Sequence, residues 1–448
     1  MSTRDLVELA RRHVAGARAD EQVEVIVGRS TSTSIKAYEG AVESFTAAEN
    51  FGVGVRVIVN GRQSFAHAGS LDEDVIAETV AEARDNVGFG EPDEFYGLAE
   101  SDGVAPVAQE LWNEAVVEYP VEAKIELALQ LERAVKAGDP RIAGVRTATY
   151  GDSAGEVALV TSNNIEVVSR ATSCHVAVQS LATDGTETQT GFGVDVGRDP
   201  ALLDIEQAAH DAVDRATRML GATKAPSQRI TLVVDPRQSA MLLGIIGSTL
   251  TGDRVLKGRS PFSDRVGESI ASSHLTLIDD PTDSRSLAAD TYDGEGLANR
   301  RNVLIEDGVL HGFLHNSYTG RRAATASTGS AVRSTRSMPS VGTQALAVRP
   351  GDLTEDELVA GIGHGFYLQS MAGLHSGVNP VSGDFSVGAE GLMIRDGALA
   401  EPIREVTIAS TLQRLLQDIE AVASDLEWLP SGSGAAALVI GDVSLSGT

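Results

Sequence analysis

The sequence predicts an α+β protein, with antiparallel or mixed sheets and flanking helices in its N-terminal half and a strand-rich, barrel-like or sandwich-like domain in its C-terminal half. Three observations carry this. Aromatic residues make up only 4% of the chain while glycine occurs 46 times in 448 residues, a pairing that favours tight turns and strands packed through small aliphatic side chains. Helical and alternating hydrophobic periods follow one another along the chain. Asn-Gly and Asp-Gly pairs recur between extended runs, where they supply the positive φ angles of two-residue hairpin turns.

Each element follows in order. After Thr3, residues Leu6, Val7, Ala10, His13 and Val14 fall on one helical face, and Val23, Val25 and Val27 then alternate as a strand does. FGVGVRVIVNGRQSFAHAG reads as a hairpin turning at Asn60-Gly61. Residues 72–87 return to helical spacing through Val75, Ile76, Val80 and Ala83 before a polar, Gly/Pro-containing stretch breaks the pattern, so a first module is placed at 1–110. A second module, 111–225, opens on a helix after Pro120. It continues in strands at 143–150, 156–161, 165–170 and 172–181, with turns at Asp152–Gly155, Asn163-Asn164 and Asp184-Gly185, and closes on a helix over 200–220. The third, 226–448, begins with the strand RITLVVDP and a helix over about 237–251. Hairpins follow at 303–314 and 392–403, each turning at Asp-Gly, and SGSGAAALVIGDVSL supplies a last strand.

Composition narrows the function classes. With 36 basic against 63 acidic side chains the formal charge is −27, which repels a nucleic-acid backbone and an anionic lipid surface, so neither is an expected partner. The single cysteine, Cys174, cannot form an internal disulfide and fits a reducing compartment. The opening MSTRDLVELARRHV carries Asp5 and Glu8 where a signal peptide needs an apolar core, and no run approaches roughly 18 apolar residues. A cytoplasmic protein is expected.

HGFLHNSYTG is the most conspicuous candidate for chemistry, because His311 and His315 are four apart, a metal-ligand spacing on a helix. The Asp307-Gly308 turn puts them instead on the second arm of a hairpin. At about 3.3 Å per strand residue they would lie roughly 13 Å apart, too far to share a zinc ion, which leaves them as same-face residues lining a groove or edge. YGDSAGEVALV holds G-x-S-x-G around Ser153, but EVALVTS alternates like a strand where a nucleophile elbow needs a helix, so Ser153 reads as a hairpin-turn serine. The glycine pairs of FGVGV, GIGHG and GFGVDVG lack a phosphate-loop pattern and sit beside strands that glycine bends. His364 and His375 have no carboxylate pattern between them to orient a metal. In NPVSGDFS, Asn379, Ser382, Asp384 and Ser386 crowd donors and acceptors into one loop.

Several segments together carry a resemblance: EGAVESFTAAENFGVGVRVIVNGR, RITLVVDP with its helix, GDRVLKGRSPFSDRVGESIASSHLTLIDDP, NPVSGDFSVGAEGLMIRDGALAEPI and TIASTLQRLLQDIEAVASDLEW. Through them the chain resembles the TldD/PmbA family of modulators and peptidases over nearly its whole length. The resemblance implies a zinc peptidase in which two related subunits enclose a cavity where unfolded peptides are cut. In that family the catalytic type of subunit carries His-Glu-x-x-x-His on the helix after the RITLVVDP-like strand, in a pattern closing in Gly-Asp, with a third metal ligand from the C-terminal domain. Gly252-Asp253 fixes the register here and puts Leu243, Gly244 and Ser248 at the three positions. Leucine cannot bind zinc, glycine cannot act as a general base, and a lone serine hydroxyl is a poor zinc ligand at neutral pH. The chain therefore looks like the metal-free partner, the TldE or PmbA type, with zinc expected in a TldD-type subunit. His311, His315, Asn379, Ser382, Asp384 and Ser386 are its candidate peptide contacts. Two other readings stay open: a self-sufficient hydrolase using Ser153 or an unrecognised metal site, and a homo-oligomeric peptide-binding protein. A homodimer is possible where the partner is absent.

Overall fold

The structure, a computed structural model, describes residues 3–447. Helix α1 (Thr3–Val14) is followed by β1 (Glu21–Tyr38), β2 (Ala41–Val59), β3 (Arg62–Ala68) and α2 (Glu73–Asn86). Asp72 caps α2 by accepting the Asp74 amide at 2.9 Å, satisfying one of the donors a helix start leaves free. After a long irregular stretch come α3 (Glu114–Glu118), α4 (Val121–Gly138), β4 (Ile142–Thr161), β5 (Glu166–Thr183), β6 (Thr188–Gly197) and α5 (Ile205–Thr217).

These strands form one six-stranded sheet in the order β3-β2-β1-β4-β5-β6. Strand β1 pairs antiparallel with β2 from Glu21↔Val59 to Tyr38↔Ala41, and with β4 from Glu24↔Thr161 to Ala37↔Ala148. The sheet thus runs without a break across residue 110. The alternation of β1 decides what each face meets. Val23, Val25 and Val27 are buried with Leu6 and Ala10 of α1 and Ile76 of α2, while farther along Ile35 is buried with Leu131 of α4 and Ala212 of α5. The intervening residues meet the C-terminal region. Glu24 pairs with Arg333, both side chains being 1% exposed. Gly52 and Gly54 have no side chain because Thr335 occupies the space: an added Cβ on Gly54 would come within 2.5 Å of the Thr335 carbonyl oxygen. The FGVGV glycines therefore mark a close approach, not a bend.

The C-terminal region opens with β7 (Gln228–Val234), α6 (Pro236–Thr249) and α7 (Gly252–Leu256). Next come β8 (Leu277–Asp279), β9 (Asn302–Glu306), β10 (Val309–Leu310), α8 (Ser317–Arg322), β11 (Ala331–Val332), β12 (Ser340–Val341) and β13 (Leu346–Val348). The last elements are α9 (Glu355–Ala360), β14 (His364–Ala372), α10 (Leu374–Gly377), β15 (Asp384–Arg395), β16 (Ala398–Thr411), α11 (Leu412–Gln417), β17 (Ile419–Val422), β18 (Glu427–Trp428), β19 (Gly434–Ala435) and β20 (Leu438–Ser446). Strands β16-β15-β14-β7-β20 form a closed barrel, because β20 also pairs back onto β16 from Thr407↔Ser446 to Ala409↔Ser444. A second sheet, β10-β9-β8-β13-β19-β18, lies beside it, and α6 buries Leu242, Leu243 and Ile246 in the core the two share.

The α+β class with a barrel in the C-terminal half is thus observed, and three local expectations are corrected. Asp152–Gly155 is no turn. It lies inside the continuous strand β4, paired with β1 on one side and β5 on the other, and the Asp152 side chain is covered by its ion pair with Lys124. Ser153 is accordingly a mid-strand residue. The strands expected at 165–170 and 172–181 are likewise one strand, β5. The hairpin at 303–314 turns where expected, with positive φ at Asp307 and Gly308, but its second arm ends at Leu310. Among the described residues no helix is long and apolar enough to cross a membrane.

Candidate functional site

Asp235 starts α6. Its carboxylate accepts the Arg237 amide at 2.9 Å and the Tyr367 hydroxyl at 3.1 Å, and pairs with Arg215 at 2.7 Å. The helix runs from this buried cap to Thr249 and turns at Thr251 into α7. Leu243 is 2% exposed and packs in the core. Gly244 faces open space, since an added Cβ there would meet nothing within 4 Å. The Ser248 hydroxyl donates to the Ile245 carbonyl of its own helix at 2.7 Å. With 3.6 residues per turn, positions 243 and 248 point about 140° apart, so Leu243 enters the core while Ser248 faces a pocket.

That pocket has a volume of about 710 Å³ and opens beyond the C-terminal end of α6. Widely separated segments build it, Glu295 among them. Ser248, Thr251, Asp253, Arg254 and Lys257 come from α6 and α7, and Asn316, Tyr318, Thr319 and Arg322 from α8. Residues 338–343 form one wall, and Arg56, Gln63 and Tyr96 are contributed by the N-terminal half. Tyr96 stacks on Tyr318 with ring centroids 5.2 Å apart, and the Tyr318 hydroxyl donates to Asp93 at 2.8 Å. Cations outnumber carboxylates on the lining, with Arg56, Arg254, Lys257 and Arg322 against Asp253 and Glu295. Lys257 is paired with Asp253 at 2.7 Å, and Arg322 lies over the Tyr318 ring. Arg56 is 3% exposed, yet its Nη1 has no hydrogen-bond partner among the described residues.

The residues singled out in the sequence do not gather here. His311 follows the short arm of β10, is exposed, and pairs with Glu306 at 3.3 Å. His315 is buried: it packs on Gly252, where an added Cβ would come within 2.3 Å of its Nδ1, and pairs with Thr319 at 3.3 Å. Burial holds its imidazole below the usual histidine range, so it is neutral at pH 7. The expectation of two histidines on one strand face is corrected. The His311 amide still bonds the Leu304 carbonyl of β9 at 2.9 Å, but beyond it the chain leaves the ladder, and the Leu314 amide bonds to the Leu250 carbonyl instead. In the loop before β15, Asn379 accepts the Val381 amide at 3.0 Å and the Ser382 hydroxyl donates to Asp384 at 2.6 Å, so these groups satisfy one another. Ser386 lies exposed on β15. None of His311, Asn379, Ser382, Asp384 and Ser386 lines the α6 pocket. Ser153 shares a hydrogen bond of 2.9 Å with Ser173 across the β4–β5 ladder, with no strand-to-helix elbow to present it. His364 bonds Gln228 at 2.9 Å at the start of β14.

Zinc does not fit the α6 positions: a buried leucine, a glycine and a serine committed to its own helix offer no nitrogen, thiolate or carboxylate. Among the described residues, no group of three or more His, Cys, Asp or Glu side chains is arranged to hold a metal ion.

Comparison with known proteins agrees with this architecture. Residues 23–87 match a family model described as PmbA/TldA metallopeptidase domain 1, residues 115–220 the central domain of that family, and residues 227–447 its C-terminal domain. The chain is 27% identical over 420 residues to a metalloprotease of Methanothermobacter thermautotrophicus, covering 90% of this chain and 88% of that protein. It is 25% identical over 407 residues to the metalloprotease PmbA of Escherichia coli O157:H7, covering 90% and 88%. In fold it matches TldE from Thermococcus kodakarensis with a TM-score of 0.89 at 22% identity, over the whole of both chains. With its three successive segments matched in family order, the chain belongs to the PmbA/TldA metallopeptidase family, the TldD/PmbA family that its sequence resembles.

Proposed function

We propose that this chain is the non-catalytic, metal-free subunit of a heterodimeric zinc peptidase, joining a TldD-type partner to enclose and bind unfolded or modified peptides. The observation that carries this reading is α6. It keeps its cap, its buried face and the Gly252-Asp253 register while holding Leu243, Gly244 and Ser248 where the chemistry would stand. Its fold likeness to a protein named TldE and its kinship with one named PmbA support the assignment. The zinc would be carried by the partner. A cytoplasmic location is part of the proposal, supported by the charge of −27 and by the presence of a single cysteine, Cys174.

The test is reconstitution. The purified chain alone is expected to show no peptidase activity and no stoichiometric zinc by elemental analysis, and to be required for full activity when mixed with a TldD-type subunit. Chelator-sensitive peptidase activity of the chain alone would overturn the reading. Gel filtration with and without that subunit separates the heterodimer from a homo-oligomeric peptide binder.

A further inference from the structure

The α6 pocket holds more positive charge than its own carboxylates neutralise, in a chain whose formal charge is −27. Two of its cations lack what a structural charge has. The Arg56 side chain is almost wholly buried, donates to Gln63 at 3.2 Å and only distantly to the Gly97 carbonyl at 3.4 Å, and keeps Nη1 without an acceptor. Among the described residues no carboxylate forms a salt bridge with it, unlike the largely buried Arg215, which pairs with Asp235. A buried guanidinium left short of acceptors is costly unless something else supplies them. Arg254, half-buried on α7, has no side-chain hydrogen bond or salt bridge among the described residues and also faces the pocket. The Tyr96–Tyr318 stack beside them offers apolar surface to a side chain.

We propose that this pocket captures the C-terminal carboxylate of a bound peptide, with Arg254 as the cationic contact, the buried Arg56 guanidinium adding positive charge behind the lining, and the tyrosine stack against the last side chain. Guanidinium groups suit a carboxylate because their planar donors match its two oxygens. The proposal rests on the peptide-binding reading above and adds which end of the peptide this subunit grips. It assigns a recognition role to the space where this chain has no metal ligands.

The experiment uses the full chain and a fluorescein-labelled, uncharged unfolded peptide made as the free acid and as the C-terminal amide. Fluorescence anisotropy is expected to show the free acid binding about 5- to 10-fold more tightly than the amide, with Arg254→Gln bringing the free acid down to the affinity of the amide. Arg254 is the variant of choice because Arg56 is buried and its replacement can disturb folding. If free acid and amide bind equally well, the carboxylate proposal is overturned while peptide binding stands. If neither binds, both are overturned. An amidated peptide with one internal aspartate separates the sources of charge, and binding as tight as that of the free acid would overturn the terminal assignment.

Discussion

Asp235 at the N-terminal end of α6 and Arg56 beside its C-terminal end are both buried charges, 0% and 3% exposed. Their surroundings differ sharply. Asp235 has a guanidinium, a hydroxyl and a backbone amide on its two oxygens, all within 3.1 Å. Arg56 has an amide side chain, one distant carbonyl and an unused nitrogen, and it borders open space. A saturated charge fixes one arrangement of its elements, here β7, α5, α6 and β14. A buried charge left short of acceptors beside a pocket adds a positive field there that a ligand carboxylate can answer.

The largest expected effect would come from breaking the saturated end. Asp235→Ala leaves Arg215, 14% exposed, without its partner, and removing one member of a buried pair typically costs about 3–5 kcal/mol. Urea denaturation of this variant should show a loss of that order. Arg254→Gln, at the open end, should stay within about 0.5 kcal/mol of the parent, as substitutions outside saturated networks do. Equal losses in the two variants would erase the contrast.

A pH effect would sharpen the comparison. Asp279 of β8 is buried and accepts the amides of Gln344 and Ala345 at 2.8 Å each, anchoring the chain just after the pocket wall at Thr343. Its second oxygen has no partner, and burial raises its pKa from 3.8 to about 6. The sign follows from proton counting. Between about pH 4 and pH 6 the folded state holds a proton that the unfolded chain has lost, so this group's contribution to stability falls as pH rises through that window and the loss is complete by pH 7. A shift of about two units corresponds to an upper bound on the order of 3 kcal/mol. Asp279→Asn should therefore lose less stability than the parent between about pH 4 and pH 7, as read by denaturation at the two pH values. Parallel pH profiles would show that the pocket wall is not held by an under-satisfied carboxylate.

Much of the fold was legible in the sequence, and the failures have local causes. The Asn60-Gly61 and Asp396-Gly397 hairpins were readable because their turn chemistry is confined to two residues with positive φ. The continuity of β4 was not, because Asp152–Gly155 has turn composition and only pairing on both sides keeps it extended. The helix that carries Leu243, Gly244 and Ser248 was legible through its apolar spacing after RITLVVDP. The pocket was not, since its lining comes from segments as far apart as Arg56 and Thr343 that nothing local connects. One signal was available: Arg56 interrupts the apolar run FGVGVRVIV, and a charge inside a buried strand needs either a partner or a purpose.

The smallest effects concern the two histidines. His311 is exposed beside Glu306, and exposed pairs contribute roughly 0–1 kcal/mol, so His311→Ala should change stability by less than about 0.5 kcal/mol and leave peptide affinity as it was. His315 packs on Gly252 at the turn from α6 into α7, so His315→Ala opens space under the pocket rim and should cost more, about 1–2 kcal/mol. The two substitutions are identical in chemistry and four residues apart, so their difference isolates position. A tenfold loss of peptide affinity in His311→Ala, with His315→Ala silent, would move the binding surface away from the end of α6 and out to the hairpin, and Arg56 would then be a buried charge without a ligand to explain it.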